Sequence, residues 1–126
     1  MNTPATSTSH AHVAVIGSFN VDHVWRCDAL PAPGATITGR YTFGPGGKGF
    51  NQAVAAARAG AGTVFVCALG DDAGGALARS LAAANGIDLR AQACEEPTGT
   101  AGIYVDAHGR NSIVVGAGAN AALAAG

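Results

Sequence analysis

The stretch GPGGKGFNQAVAAARAG, Gly44 to Gly60, holds the only lysine of the chain. Lys48 follows Gly46 and Gly47, precedes Gly49, and stands directly before a helix-like run. The first turn of a helix leaves backbone N–H groups unpaired, which suits electron-rich ligand atoms. Lys48 adds a cation at the end where the macrodipole disfavours one, so a ligand that gains from the charge is the natural reason for it. Asn51 and Gln52 put amides in the same turn, and amides both donate to and accept from hydroxyls. Glycines let a ligand approach the backbone closely. This combination suits a polyol better than a bare phosphate. A Walker A loop fails at both ends, because Thr42 stands where its first glycine belongs and Gly49 where its hydroxyl belongs. Taken alone, the glycines also fit a plain turn into a helix.

The second stretch is GSFNVD, Gly17 to Asp22. Asn20 and Asp22 are two apart and share a side of an extended segment. They follow a short apolar run, and open α/β sheets place ligands beyond the carboxyl ends of such strands. An Asx-type turn is an equal reading. One glycine stands where a dinucleotide fingerprint needs three. His10, His12 and His23 read as surface residues, and Asp71-Asp72 as a helix cap. Cys27, Cys67 and Cys94 read as core filler. Their odd number and lack of metal spacing fit reduced thiols in a cytoplasmic protein.

The elements that must position these residues are legible in outline. Val13–Ile16 and Val64–Gly70 suit strands buried on both faces of a parallel sheet. TITGRYTF, residues 36–43, alternates, with Ile37, Tyr41 and Phe43 on one face. DHVWRCDAL is similar, and LPAPGAT turns between them. A helix is expected from Phe50 with Val54, Ala57 and Ala61 in phase, and a second from Ala73 to Asn85 with Leu77 and Leu81 in phase. Asp72 is its expected N-cap and Gly86 its C-cap. TAGIYVDAHGRNSIVVG predicts two strands around a turn at His108-Gly109. The order is buried strand, alternating hairpin, helix, buried strand, helix, hairpin. That is an α/β domain with a small extra sheet after the first strand.

Bulk properties bound the function. The chain has 126 residues, 48% hydrophobic and 12% charged, enough for one domain with a core. A net charge of −1 with dispersed arginines argues against nucleic acid or acidic lipid as a partner. No apolar run is long enough to span a membrane, and MNTPATSTSHA lacks the basic start and apolar core of a signal peptide. Residues 1–11 are expected to be a disordered tail.

Together, VIGSFNVDHV and GGKGFNQAVAAARAGA resemble the ribokinase family, the phosphofructokinase B-type carbohydrate kinases, in the form closest to ribokinase proper. LGDDAGGALARSLAAANGID and PTGTAGIYVDAHGRNSIVVGAGAN follow the family in order and spacing, so the resemblance runs from about Val13 to Leu123. It implies the N-terminal part of a three-layer α/β/α fold with a small β lid, the sheet incomplete in this chain. Residues 12–126 would be that portion, with lid strands near 21–43 and 99–116. It also implies that Asn20 and Asp22 bind hydroxyls of a furanose, that Gly46 and Gly47 let the sugar lie against the backbone, and that Lys48 and Asn51 bind further hydroxyls. Ala101 and Ile103 would give apolar contacts. The lid strands often pair with a second subunit, which makes a homodimer an option.

Members of the family are more than twice as long. The resemblance implies that the general base, the anion hole, the adenine pocket, the magnesium-linked acidic motif and the monovalent-cation loop belong to the other half. ATP, Mg2+ and the monovalent cation therefore have no expected site here. GAGAN, Gly116 to Asn120, has alanine where the catalytic aspartate would stand and matches the family's mid-chain GAN segment. The chain is expected to hold no catalytic residue and to be inactive alone, the N-terminal part of a kinase that phosphorylates a primary hydroxyl of ribose or a similar sugar. A non-catalytic sugar-binding remnant of a truncated gene, or a member acting on fructose, a sugar acid or a nucleoside, are the alternatives.

Overall fold

The computed structural model describes residues 12–123; the expected tail at 1–11 lies outside them. In chain order the elements are β1 (His12–Ile16), β2 (Asn20–Arg26), β3 (Arg40–Gly46), α1 (Lys48–Arg58), β4 (Gly62–Gly70), α2 (Ala73–Ala84), β5 (Asp88–Cys94), β6 (Thr100–Val105) and β7 (Asn111–Gly116). A short 3-10 helix, Gly118–Ala122, follows. They form two sheets. One is parallel and three-stranded, in the order β1-β4-β5. The other is four-stranded, in the order β3-β2-β6-β7, with β2 and β6 parallel and the two outer pairs antiparallel. The expected α/β class with an incomplete parallel sheet and a small second sheet is what the chain adopts.

The core lies between the parallel sheet and both helices. Along β4, Thr63, Phe65, Cys67 and Leu69 alternate onto one face and are buried. Phe50 and Ala53 of α1 and Ala78 and Ala82 of α2 pack over that face. The Phe50 ring meets Phe65 at 6.0 Å and Phe19 edge-on at 5.1 Å. Arg58 Nε donates to Asn85 Oδ1 at 3.2 Å, joining the far ends of the two helices. Burial pushes the Cys67 thiol up to about 11, as suits core filler.

Several expectations shift. β1 is not buried on both faces: Val15 is buried, but Ile16 is 71% exposed. The helices cover one face only, and β1 is an edge strand. β3 begins at Arg40, so Ile37 falls outside it, and it continues to Gly46 because Gly44, Pro45 and Gly46 pair with Asp22, Val21 and Asn20. Pro45 is tolerated because β3 is itself an edge strand. α1 starts at Lys48 and ends at Arg58, so Ala61 lies beyond it. α2 ends one residue earlier than expected, with Asn85 as its C-cap and Gly86 next, at φ +67°. β5 has no counterpart in the sequence reading. Its alternation is present, with Leu89 and Ala91 half-buried between exposed Asp88, Arg90 and Gln92, but its alanines carry little strand propensity.

Asp72 caps α2 as expected and does more. Its carboxylate accepts from the Gly75 N–H at 2.9 Å, the Thr98 N–H at 2.8 Å and the Thr98 hydroxyl at 2.6 Å. Thr98 Oγ1 in turn accepts from the Gly70 N–H at 3.0 Å. This clasp ties the start of α2 to the segment that leads into β6. The Thr98 hydroxyl, with the Thr98 and Gly75 N–H groups, holds the Asp72 carboxyl below its ordinary range against the opposing effect of partial burial. Asp72→Ala is expected to lower unfolding stability by about 1–2 kcal/mol at neutral pH. A depressed pKa gives stability that is present above the ordinary carboxylate pKa and lost as pH falls through the folded-state value. The gap between wild type and variant in urea unfolding should therefore narrow in acid; a constant gap would count against an ionised cap.

Candidate functional site

Strand register decides which candidates share a surface. Asn20, Asp22 and Val24 alternate onto one face of β2. Across β3, Asn20 pairs with Gly46 and Asp22 with Gly44. Across β6, Asp22 pairs with Ala101 and Val24 with Ile103. Paired residues point to the same side. Asn20, Asp22, Gly46, Ala101 and Ile103 therefore lie together on one face of the four-stranded sheet. Ile113 and Val115 of β7 pair with Ile103 and Ala101 and extend the apolar strip, 53% and 58% exposed. The sequence reading named neither, although their place in the predicted strand pair was a usable signal.

The glycine loop joins this face to α1. The Asp22 carboxylate rests over Gly46, where a Cβ would collide with it. Gly47 has φ +95°, and a Cβ there would strike the Ser18 carbonyl. Gly49 lies against Gly17, with a Cβ position 2.9 Å from the Gly17 backbone. The Phe50 N–H donates to the Ser18 carbonyl at 3.1 Å. The two loops singled out in the sequence are thus one packed unit, and at positions 47 and 49 glycine answers first to that packing.

Lys48 is the first residue of α1 and is exposed. No side chain caps this helix end and no acidic residue occupies its first turn. Among the described residues, no carboxylate forms an ion pair with Lys48. Asn51 is offset from the sheet face. It lines a shallow depression with Pro45, Val54, Arg58, Leu81 and Asn85, on the flank of α1 that faces α2. The structure thus gathers five candidates on one sheet face, sets Gly47 and Lys48 at its edge, and leaves Asn51 to the side. Asn120, read from sequence only as the end of the GAGAN segment and not as a site residue, joins them: its Nδ2 donates to Asn20 Oδ1 at 2.8 Å.

The opposite face of the same sheet is aromatic. Trp25 lies 5.1 Å from Tyr41 and 5.4 Å from Tyr104, ring centre to ring centre. His23 carries a partner of its own at this surface. It is half-buried in this row, and its Nδ1 lies 2.7 Å from the Tyr41 hydroxyl. A largely apolar cavity of about 730 Å³ opens here, lined by Val21, His23, Tyr41, Phe43, Leu77 and Pro97 among others. None of the candidate residues lines it. Among the described residues, no three His, Cys, Asp or Glu side chains converge to hold a metal ion.

The sequence profile described as "pfkB family carbohydrate kinase" matches residues 10–125. The ribokinase of Haemophilus influenzae is 43% identical over 114 residues, covering 88% of this chain and 37% of that protein. The ribokinase structure from Giardia lamblia superposes with a TM-score of 0.84 at 38% identity, covering 90% of this chain and 36% of that one. The Arabidopsis thaliana ribokinase structure, complexed with ribose and ATP, gives 0.73 at 36% identity, with 88% and 37% covered. The chain thus spans little more than a third of the length of these relatives.

Burial pushes the Asp22 carboxyl above its ordinary range, and His23 only partly offsets this. A raised folded-state pKa means that the folded chain binds more protons than the unfolded one between the two values, so stability falls as pH rises through them. The ionised carboxylate is a cost to the fold above its raised pKa. Asp22→Asn is expected to raise the neutral-pH melting temperature, with the gain disappearing in acid below the ordinary carboxylate pKa. A melting temperature lowered at neutral pH would show that the carboxylate is held by favourable contacts.

Proposed function

The chain belongs to the pfkB family of carbohydrate kinases, and on that premise we propose that it forms the sugar-binding part of a ribokinase-like enzyme. That enzyme would transfer the γ-phosphate of ATP to a primary hydroxyl of ribose or a similar sugar. The observation that carries this reading is the shared sheet face. Asn20 and Asp22 supply polar groups, Ala101 and Ile103 an apolar floor, and Gly46, lacking a side chain, makes room for the Asp22 carboxylate that rests over it, all within neighbouring strands. A sugar ring asks for this mixture, with hydroxyls paired and carbon faces covered. Lys48 and Asn51 would complete the set from the first turn of α1, Lys48 by its charge and Asn51 after a reorientation of its amide toward the sheet.

The part this chain plays in phosphoryl transfer is positioning. Fixing the sugar with its primary hydroxyl directed away from the sheet face converts an encounter into an oriented reaction. The ATP complex of the Arabidopsis ribokinase supports ATP as the phosphoryl donor. Mg2+ and a monovalent cation are family expectations with no converging ligand set among the described residues, so no step is assigned to them. The general base would lie outside this stretch of sequence, and on this reading the 126 residues alone do not turn over.

The aromatic face fits a second role. Tyr41 and Phe43 are 47% and 63% exposed beside an apolar cavity. Exposed apolar surface of this kind marks an association site, and a homodimer through the four-stranded sheet is the proposed use. Three free cysteines support a reducing, cytoplasmic setting, and no helix among the described residues is long and apolar enough to cross a membrane.

Calorimetric titration with ribose, run beside an ATP-turnover assay, tests the main reading. Ribose binding without turnover is expected, and turnover by this chain alone would overturn the claim of inactivity. Alanine at Asp22 or Asn51 should weaken ribose binding by roughly 1–3 kcal/mol; unchanged affinity would remove that residue from the site. For the second role, sedimentation should show a dimer that Phe43→Ser disrupts. A monomer at all concentrations would leave the aromatic face without this use.

A further inference from the structure

Asn120 sits in the 3-10 helix Gly118–Ala122 and reaches back across a hundred residues to β2. Its Nδ2 makes two hydrogen bonds, to the Phe19 carbonyl at 3.2 Å and to Asn20 Oδ1 at 2.8 Å. The Phe19 carbonyl settles which way both amides lie. A carbonyl can only accept, so Asn120 must turn its nitrogen toward it. That nitrogen then meets Asn20, which must answer with its oxygen. With Oδ1 held inward, the Asn20 NH2 group is left on the outward side.

The surroundings keep this arrangement tight. A Cβ on Gly99 would overlap both Asn120 Nδ2 and Asn20 Oδ1. The Ala119 N–H donates to the Pro97 carbonyl at 2.7 Å, and the Val21 N–H to the Gly99 carbonyl at 2.9 Å. Gly118 has φ +52°, and a Cβ there would strike the Pro97 carbonyl. The 3-10 helix is thereby pinned on the Pro97–Gly99 segment, which the Asp72–Thr98 clasp holds from the other side. Asn120 Oδ1 is buried without a partner among the described residues. An asparagine that leaves one end unpaired in order to aim the other is placed for its nitrogen.

We propose that Asn120 is a positioning residue that locks the Asn20 amide as a donor toward the ligand face. Position 20 then offers only N–H groups, and position 22, two residues along the same face, offers an acceptor when ionised. A sugar hydroxyl at Asn20 must accept and its neighbour at Asp22 must donate. This polarity admits one orientation of a diol across β2 and disfavours its reverse. The inference rests on the reading of Asn20 as a sugar contact.

A thermodynamic cycle on ribose affinity tests it, using Asn120→Ala, Asn20→Ala and the double variant. Asn120→Ala should weaken ribose binding about tenfold when Asn20 is present and leave it nearly unchanged when Asn20 is already alanine. Equal losses in both backgrounds would mean a merely structural role and overturn the proposal. Side-chain amide NMR of the wild-type protein gives a second readout that needs neither variant nor sugar. The Asn120 NH2 protons should exchange slowly and those of Asn20 fast in the free protein. The reverse pattern would overturn the lock. If wild type binds no ribose, the sugar reading fails on its own and the exchange pattern alone judges the lock.

Discussion

The contact between Gly17–Phe19 and Gly47–Gly49 holds the molecule's two sheets in one relation. The first loop leaves β1 of the parallel sheet, and the second leaves β3 of the four-stranded sheet to start α1. They meet backbone to backbone, with Gly49 against Gly17 and the Phe50 N–H on the Ser18 carbonyl. Any side chain at 47 or 49 would wedge them apart. Phe19, at the end of the first segment, and Phe50, just beyond the second, drop into the core and pack edge to face. Burial of those two rings anchors the loops, and the loops carry Asn20 and Lys48 to the same rim. A glycine cluster that reads as a ligand cradle is therefore also the mechanical joint of the fold.

The four-stranded sheet divides its labour by face. One side carries Asn20, Asp22 and Gly46 with Ala101 and Ile103, and the other carries His23, Trp25, Tyr41, Phe43 and Tyr104. Strand alternation makes the separation strict, because a shift of one residue in register would exchange the two sets. A largely apolar cavity of about 730 Å³ lies on the aromatic side, away from Asn20 and Asp22. The polar residues lie on the other face, where partial burial holds the Asp22 carboxyl above its ordinary range.

Much was legible before any coordinates. Asp72 announced itself as a cap by standing ahead of a helical pattern, and Leu77 and Leu81 by their spacing. The His108-Gly109 turn was readable because Gly109 is suited to its φ of +80°. The pair Asn20 and Asp22 was legible as same-sided because alternation is a local property of a strand. What failed was non-local. β5 was passed over because its pairing with β4 is supplied by the sheet and not by its own alanines. The burial of β1 was overestimated because an apolar run does not say how many layers cover it. The contact of His23 with the Tyr41 hydroxyl was not foreseen because that partner comes from another strand.

Residue types and their periodicity determined by themselves the α/β class and the polar candidates in Gly17–Asp22 and Gly44–Gly60; the sugar roles, with Ala101 and Ile103, came only from the resemblance of the sequence to a family. The class and the polar candidates follow from local rules, whose range is a few residues along the chain. Only tertiary structure decided that Asp22 lies over Gly46, that Ala101 stands beside Asp22, that Asn51 is turned toward α2, and that Asn120 donates to Asn20. Each of these depends on strand register or on packing between segments up to a hundred residues apart. Hydrogen-bond polarity and close contact act through space, and no spacing along the sequence encodes them.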